Sequence, residues 1–519
     1  MRVGIYNRWL ATMGGGEKYS LTIAECLAKE HEVSVISHTS VDRAFISDRL
    51  SLDLSDVCFL VVPDESADSL SRLTSEYDLF INASHMDFFP AQAPQSVLLV
   101  YFPVPAERDF ATRFRRRVGI RLKRWLMVPT FVEGAFGTEL VNGVQVRRLG
   151  RRVHILFPPS PESFSVQFEL ASERLSVQKA ILFVDGLPAE EVLFSPGCRP
   201  VLCRINLGGG KPHSLVIEAL SRGKEVEDTP FWMVLSGLTV EHPRYRLYRL
   251  LFERWFKEWG LRLHGIPPRT LLEIVKTYDA IWAISMFTQR WITKYWGQRS
   301  SVLPPPIDVE RFKPGRKGNK ILSVGRFFAG SHNKKHPVMI RAFREMVDEG
   351  LRGWELHLAG GTTPGAVHQE YLEQVRSLAA GYPIWIHTDV PFDQLVNLYA
   401  ESAIYWHASG FGEDENREPI KFEHFGITTV EAMAAGCVPV VIGKGGQPEI
   451  VQHGYSGFLW HTIGELKRFT YQLIKNPTLR QQMANRALAE SRRYSKANFY
   501  RRLKELLQEL EVRACRRGK

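Results

Sequence analysis

Glu423-His424-Phe425-Gly426-Ile427-Thr428-Thr429-Val430-Glu431, continued by Ala432-Met433-Ala434-Ala435-Gly436, is the stretch on which the fold turns. An apolar run at 403–407 (AIYWH) precedes it and another at 438–442 (VPVVI) follows. Strand, loop, helix opening near Gly426 and second strand make one step of a doubly wound α/β layer. Ligands of open parallel sheets bind beyond the carboxyl ends of the strands. A helix N-terminus placed there presents unpaired N–H groups and a positive dipole end, which suit phosphate. Glu423 stands before that helix and Glu431 within its first turns, and both carboxylates can accept hydrogen bonds from sugar or ribose hydroxyls. Taken alone, the glutamate pair also fits an acidic helix entry with one solvated carboxylate. The glycine-rich surroundings favour the ligand.

The same grammar extends in both directions. Runs at 320–325 (KILSVG), 354–359 (WELHLA), 384–387 (IWIH) and 457–460 read as strands, with helices at 338–349 and 429–435. They predict a doubly wound domain over 311–490. Upstream, strands at 2–7, 31–37, 77–82 and 96–101 and a helix at 17–29 predict a first such domain over 1–149, resumed at 241–310 by strands at 278–285 and 301–303. Pro304-Pro305-Pro306 is the expected linker. Period-2 runs crowd 152–157, 164–170, 180–185, 201–205, 214–219 and 231–235. They predict an antiparallel β-sandwich inserted at 150–240. Residues 491–519 read as a C-terminal helix and basic tail.

Two further clusters carry chemistry. Arg326 ends a strand, and Lys334 and Lys335 follow after a loop. Such cations can neutralise a diphosphate, Arg through its fork and Lys as a point charge, although a solvated basic loop would read the same way. Gly14-Gly15-Gly16-Glu17-Lys18 follows the first strand, where missing side chains let backbone approach a ligand. It is not a G-x-G-x-x-G fingerprint, and Gly208-Gly209-Gly210-Lys211 is not a P-loop.

The 519 residues suffice for about three domains, and 44% hydrophobic with 24% charged residues is the mix of a folded chain. No apolar run reaches the roughly 18 residues of a membrane span. The opening residues lack the apolar stretch of a secretory signal, so the expected location is the cytoplasm. Six scattered cysteines without a CxxC pair argue against a zinc site or disulfide framework. Lys and Arg number 67 against 56 Asp and Glu, a formal charge of +11, which favours polyanionic partners.

The stretch EHFGITTVEAMAAG resembles the E-x7-E signature of the family 4 retaining glycosyltransferases. Arg326 and Lys334 match that family's basic pair, Gly445-Gly446-Gln447-Pro448-Glu449 its following glycine-rich loop, and GGGEK its N-terminal loop. The likeness covers about four-fifths of the chain, in order, outside the β insertion. HFGITTVEAMAAG and KKHP most resemble the eukaryotic mannosyltransferases that add α-1,2-mannose to lipid-linked oligosaccharide. The resemblance implies a GT-B fold of two Rossmann-like domains with the active site between them. Glu431 would bind ribose, Glu423 the donor sugar, and Arg326 and Lys334 the leaving diphosphate. Phe425, Gly426, Ile427, Thr428, Gly15, Gly16 and Lys335 would complete the donor site. It implies a GDP- or UDP-linked sugar as donor, no further cofactor and no metal, and the chain has no D-x-D pair.

One departure stands out. Related enzymes often carry His in a VHYP-like sequence, where this chain has Val100-Tyr101-Phe102-Pro103. Either Tyr101 supplies the polar contact, or His85, at the end of the neighbouring strand, does so. The implied acceptor is a glycan or lipid-linked hydroxyl. Residues 113–126 (RFRRRVGIRLKRWL) place Phe114, Val118, Leu122, Trp125 and Leu126 on one helical face. Arg113, Arg116, Arg117, Arg121, Lys123 and Arg124 lie largely off it. That pattern suits an anionic membrane surface, with peripheral attachment. A domain-surface helix with solvated arginines is the plainer alternative, and no nucleic-acid motif surrounds it. A carbohydrate-binding protein on the same scaffold, and a nucleotide-sugar epimerase or phosphorylase, are the rival functions.

Overall fold

In the computed structural model the described residues are 1–519 except 13, 63–66, 107–109, 142–143, 173–176, 195–199, 222–231, 254–269, 331 and 517–519. Short apolar runs form β1 (Arg2–Tyr6), β2 (Glu32–Ser37), β3 (Val57–Val61), β4 (Leu79–Asn82) and β5 (Gln95–Val100). Eight longer strands follow: β6 (Thr130–Val141), β7 (Val144–Phe157), β8 (Phe164–Ser172), β9 (Val177–Val184), β10 (Leu187–Leu193), β11 (Val201–Leu207), β12 (His213–Ser221) and β13 (Met233–Glu241). The chain then returns through β14 (Ala280–Ala283) and β15 (Ser301–Val302). The last set is β16 (Lys320–Val324), β17 (Glu355–Gly360), β18 (Ile384–Thr388), β19 (Ile404–His407), β20 (Val438–Ile442) and β21 (Phe458–Trp460).

The first sheet is parallel throughout, in the order β15-β14-β5-β4-β1-β2-β3. Its central strands are buried on both faces, as in β4 and β5, which explains their near-continuous apolar sequences. The third sheet, β18-β17-β16-β19-β20-β21, is likewise parallel. Both doubly wound domains are as expected. Trp406 and Trp460 fill the third sheet's core, and the Trp406 Nε1–H donates to Thr470 Oγ1 at 3.0 Å, which satisfies its buried polar edge.

The insertion is antiparallel, but two details differ from the sequence reading. It begins at Thr130 rather than at 150, because β6 pairs with β7 through several register shifts. Those bulges break the two-residue alternation that would have marked β6 as a strand. The layers are also not two separate sheets. One continuous sheet runs β10-β9-β12-β7-β13-β8-β11, with β6 paired to β7 and the edge strands β10 and β11 brought near each other. Strand alternation turns Val166, Phe168 and Leu170 of β8 inward, together with Val153, Ile155 and Phe157 of β7.

The basic segment forms the helix Phe110–Trp125, of which the side chains at 110–117, including Phe114, Arg113, Arg116 and Arg117, lie outside the described residues. Its expected single apolar face is divided. Leu122 and Leu126 pack on the antiparallel core, whereas Val118 and Trp125 stay exposed. Lys123, expected off the apolar face, is buried beside Leu122, and burial with the Arg147 charge pushes its amine down to about 8.

The final helix, Lys496–Arg516, crosses back onto the first domain. Phe499, Leu503, Leu506 and Leu510 enter a core that also contains Tyr19 and Ile23. Lys496 pairs with Glu25 at 2.9 Å.

Candidate active site

The carboxyl ends of the two parallel sheets face one cleft. On the C-terminal side, β16 leads into Gly325 and Arg326. A Cβ at Gly325 would lie 2.6 Å from Lys334 Cγ, so the missing side chain is the space the lysine stem occupies. Lys334 Nζ thereby reaches Glu423 Oε2 at 2.5 Å. His407, the last residue of β19, meets the same oxygen with Nε2 at 3.0 Å. Burial raises the Glu423 carboxyl, but Lys334 and His407 outweigh it and hold the group well below the usual carboxylate range. Glu423 is therefore an ionised acceptor in a largely buried setting, where such interactions are stronger than in water.

The segment 423–425 is held by a glycine contact. Gly446 N–H donates to Glu423 O at 2.8 Å. A Cβ on Gly446 would stand 2.7 Å from both His424 O and Phe425 O. Gly426, at φ +124, starts the helix Ile427–Ala434, which carries Glu431. Tyr399 Oη–H donates to Glu431 Oε2 at 2.9 Å. Burial pushes the Glu431 carboxyl up to about 7, with Tyr399 and Lys18 acting in the opposite direction. Thr428 Oγ1 accepts from Tyr405 Oη at 2.8 Å, fixing the first turn.

The N-terminal wall comes within contact of this helix. A Cβ at Gly15 would lie 3.0 Å from Ile427 Cδ1, across the domains. The helix Gly15–Leu27 thus points its N-terminus toward the N-terminus of Ile427–Ala434. Two positive helix ends thus approach each other, with Lys334 bonded to Glu423 just before the second, an arrangement suited to an anion.

The sequence-derived candidates occupy distinct positions. Arg326 is exposed, its guanidinium 5.6 Å from the Phe328 ring centroid. Lys335 pairs with Glu413 Oε1 at 2.7 Å. Tyr101 Oη lies 2.9 Å from Gly16 O and 3.1 Å from Ala83 O, so it pins the glycine-rich loop, and burial pushes its phenol far up. His85 packs edge-on against Tyr101, with ring centroids 5.9 Å apart, and burial lowers its pKa. Phe425 is buried in the core that joins the domains.

Sequence reading missed several neighbours. His407 carries no motif. His332 sits in the loop before Lys334, its ring 4.9 Å from that of His424 and edge-on to it. His85 interacts electrostatically with both. His424 stacks on Phe102 of the N-terminal domain at 4.2 Å, and its carbonyl accepts from Ser285 Oγ at 2.6 Å. Glu449 Oε2 and Oε1 accept from the N–H groups of Met286 and Phe287, at 2.7 and 2.6 Å, at the start of the helix Met286–Trp296. Among the described residues, no group of three or more His, Cys, Asp or Glu is arranged to hold a metal, and no helix is long and apolar enough to cross a membrane.

Residues 306–489 match the family model described as Glycosyl transferases group 1. A Dictyostelium discoideum protein, GDP-Man:Man(3)GlcNAc(2)-PP-Dol alpha-1,2-mannosyltransferase, is 29% identical over 224 residues, which are 40% of this chain and 41% of that protein. A Mycobacterium tuberculosis protein, GDP-mannose-dependent alpha-(1-6)-phosphatidylinositol monomannoside mannosyltransferase, is 26% identical over 258 residues, 45% of this chain and 62% of that one. The match to the Dictyostelium relative spans about two fifths of its length. The solved structure of Anabaena HepE in complex with UDP and glucose superposes with a TM-score of 0.52 at 12% identity, covering 98% of this chain and 100% of that one. Sucrose-phosphate synthase from Thermosynechococcus elongatus gives 0.50 at 10% identity, covering 99% of each chain. The fold of the chain is that of the GT-B glycosyltransferases.

Proposed function

We propose, from the premise that residues 306–489 belong to the Glycosyl transferases group 1 family, that the chain is a retaining hexosyltransferase. Mannose is the favoured sugar, carried on a nucleoside diphosphate, and the acceptor is a hydroxyl of a glycan or lipid-linked glycan. The observation that carries this reading is the ionised Glu423, bonded to Lys334 and His407 opposite the Gly15 wall.

Glu423 accepts hydrogen bonds from the donor sugar, and Glu431 accepts them from the ribose. Arg326, Lys334 and the two helix N-termini stabilise charge as the C1–O bond to the diphosphate breaks, the electrostatic contribution that commonly dominates such catalysis. The acceptor hydroxyl bonds to C1 from the same face, and its proton passes to a departing phosphate oxygen. Binding and chemistry use protein groups alone in this scheme, and the nucleotide sugar is substrate.

A thermal-shift panel of GDP, UDP and ADP tests the donor site. At a hundred-fold excess over Kd a bound nucleotide adds about 2.7 kcal/mol. Sugar transfer from GDP-mannose should then fall at least about a hundred-fold in Glu423→Gln. Sugar binding without transfer would indicate a carbohydrate-binding protein. Donor turnover without acceptor would indicate an epimerase, and phosphate-dependent cleavage a phosphorylase.

We also propose that the enzyme works as a cytoplasmic protein attached peripherally to an anionic membrane. Val118 and Trp125 are exposed by 47% and 49%, and Leu247, Leu250 and Leu251 of the segment after β13 are exposed as well. Arg244 links the two, its guanidinium 5.7 Å from the Trp125 ring, and Arg121, Arg124 and Arg246 are exposed nearby in sequence. Apolar side chains with arginines around them suit a bilayer interface, each cation adding about 1 kcal/mol near anionic lipid. Co-sedimentation with phosphatidylserine vesicles should be reversed by salt and weakened by Trp125→Ala with Leu250→Ala. Absence of binding at low salt overturns this reading.

A further inference from the structure

The carboxyl edge of the N-terminal sheet carries a group of side chains that the transfer chemistry leaves unused. Trp9 follows β1 and is 46% exposed. Its indole is nonetheless fixed. Nε1–H donates to His85 O at 3.1 Å, the Trp9 N–H donates to Asn7 Oδ1 at 3.0 Å, and Thr12 N–H donates to Trp9 O at 2.8 Å. The Arg8 guanidinium lies 5.8 Å from the ring centroid and reaches Asp87 Oδ2 at 3.3 Å. The same carboxylate oxygen accepts from Tyr6 Oη at 2.6 Å. Met86, between His85 and Asp87, is exposed and held at φ +58. Non-glycine residues in that region cluster at ligand clamps and active sites.

A rigid, open aromatic ring beside an arginine–carboxylate pair matches the two faces of a pyranose. The C–H groups lie on the ring, and adjacent hydroxyls bond the carboxylate and guanidinium. The location agrees. His85, whose carbonyl anchors the indole, packs on Tyr101, which bonds the glycine-rich loop at Gly16, and it lies within electrostatic range of His332 and His424 of the opposite domain. We propose that Trp9, flanked by Arg8 and Asp87, is the stacking platform for the acceptor saccharide. This assignment rests on the transferase reading for its role, though not for its chemistry.

The test uses the full chain saturated with GDP and titrated with α-mannobiose, followed by saturation-transfer NMR. Trp9→Ala should weaken saccharide binding about tenfold or more, while Trp9→Phe, which keeps a stacking face, recovers most of it. The GDP-induced thermal shift should be the same in all three proteins, which separates a local loss from misfolding. Equal mannobiose binding by wild type and Trp9→Ala, or no binding by wild type, overturns the platform. Trp9-dependent binding in a protein that neither GDP nor UDP stabilises upholds the platform and overturns the transferase reading instead.

Discussion

Glu431 combines two demands that pull apart with pH. Its carboxyl is pushed up to about 7 by burial, yet the ribose contact proposed for it requires acceptor oxygens. Near neutrality the unliganded site is partly protonated, so wild-type affinity for GDP should rise from about pH 6 to about pH 8. Glu431→Gln should bind more weakly and lose that part of the slope. Calorimetric titrations of both proteins across the range check this, the difference between them cancelling the nucleotide's own titration. Parallel profiles would remove Glu431 from the ribose site. Stability moves the other way. The folded carboxyl holds its proton more tightly than the unfolded one, whose pKa is near 4.5. This group therefore costs unliganded stability progressively as pH rises from about 4.5 through about 7, and nothing more above that. Glu431→Gln should flatten that decline in urea melts.

The glycine-rich loop after β20 shows how one element places the residues of another. Gly446 lies against the carbonyls of His424 and Phe425, with no room for a Cβ. Gly446→Ala should therefore push segment 423–425 away, costing about 1–3 kcal/mol by overpacking. The shift moves Glu423 from Lys334 and His407, so transfer should fall by more than the stability loss explains. Urea denaturation and a transfer assay on the same preparation compare the two, and wild-type turnover would show that the loop only fills space. Such elements were legible in the sequence because their causes are local. The buried runs of β16, β19 and β20 and the glycine at the start of the Ile427–Ala434 helix announce themselves within a few residues. β6 did not, because its bulges destroy alternation. His407 was invisible as a partner of Glu423, since it reads as one more residue of a buried strand. Lys123 reads as lying off the apolar face because a helical wheel cannot show which side the antiparallel domain will cover.

At the scale of the molecule, the cleft is closed by contacts between segments far apart in the chain, and no local pattern encodes them. His424 stacks on Phe102, Ser285 bonds the His424 carbonyl, and Glu449 takes the two N–H groups that open the Met286–Trp296 helix. On the far side the Lys496–Arg516 helix ties the C-terminal domain to the first through Lys496 and Glu25. The two ties act differently. The far one buries apolar side chains such as Leu503 and Leu506 and is permanent packing. The near one combines an aromatic cluster, Phe102, Phe287 and Trp291 against Phe422, with the polar bonds of Ser285 and Glu449, and it adjoins the proposed donor site, so it sets how closely the Gly15 wall meets the C-terminal domain. Glu449→Ala removes both acceptors and leaves the Phe287 N–H without its partner, a loss of about 1–3 kcal/mol if that group stays buried. Opening the cleft relieves part of that penalty by admitting water. The variant should therefore show a larger radius of gyration in solution scattering, little change in GDP affinity, and a marked fall in transfer. The proposed donor groups Glu423, Glu431, Arg326 and Lys334 all belong to one domain, whereas Gly15 and His85 belong to the other. An unchanged radius together with wild-type turnover would show that the Glu449 contact plays no part in holding the domains together for transfer.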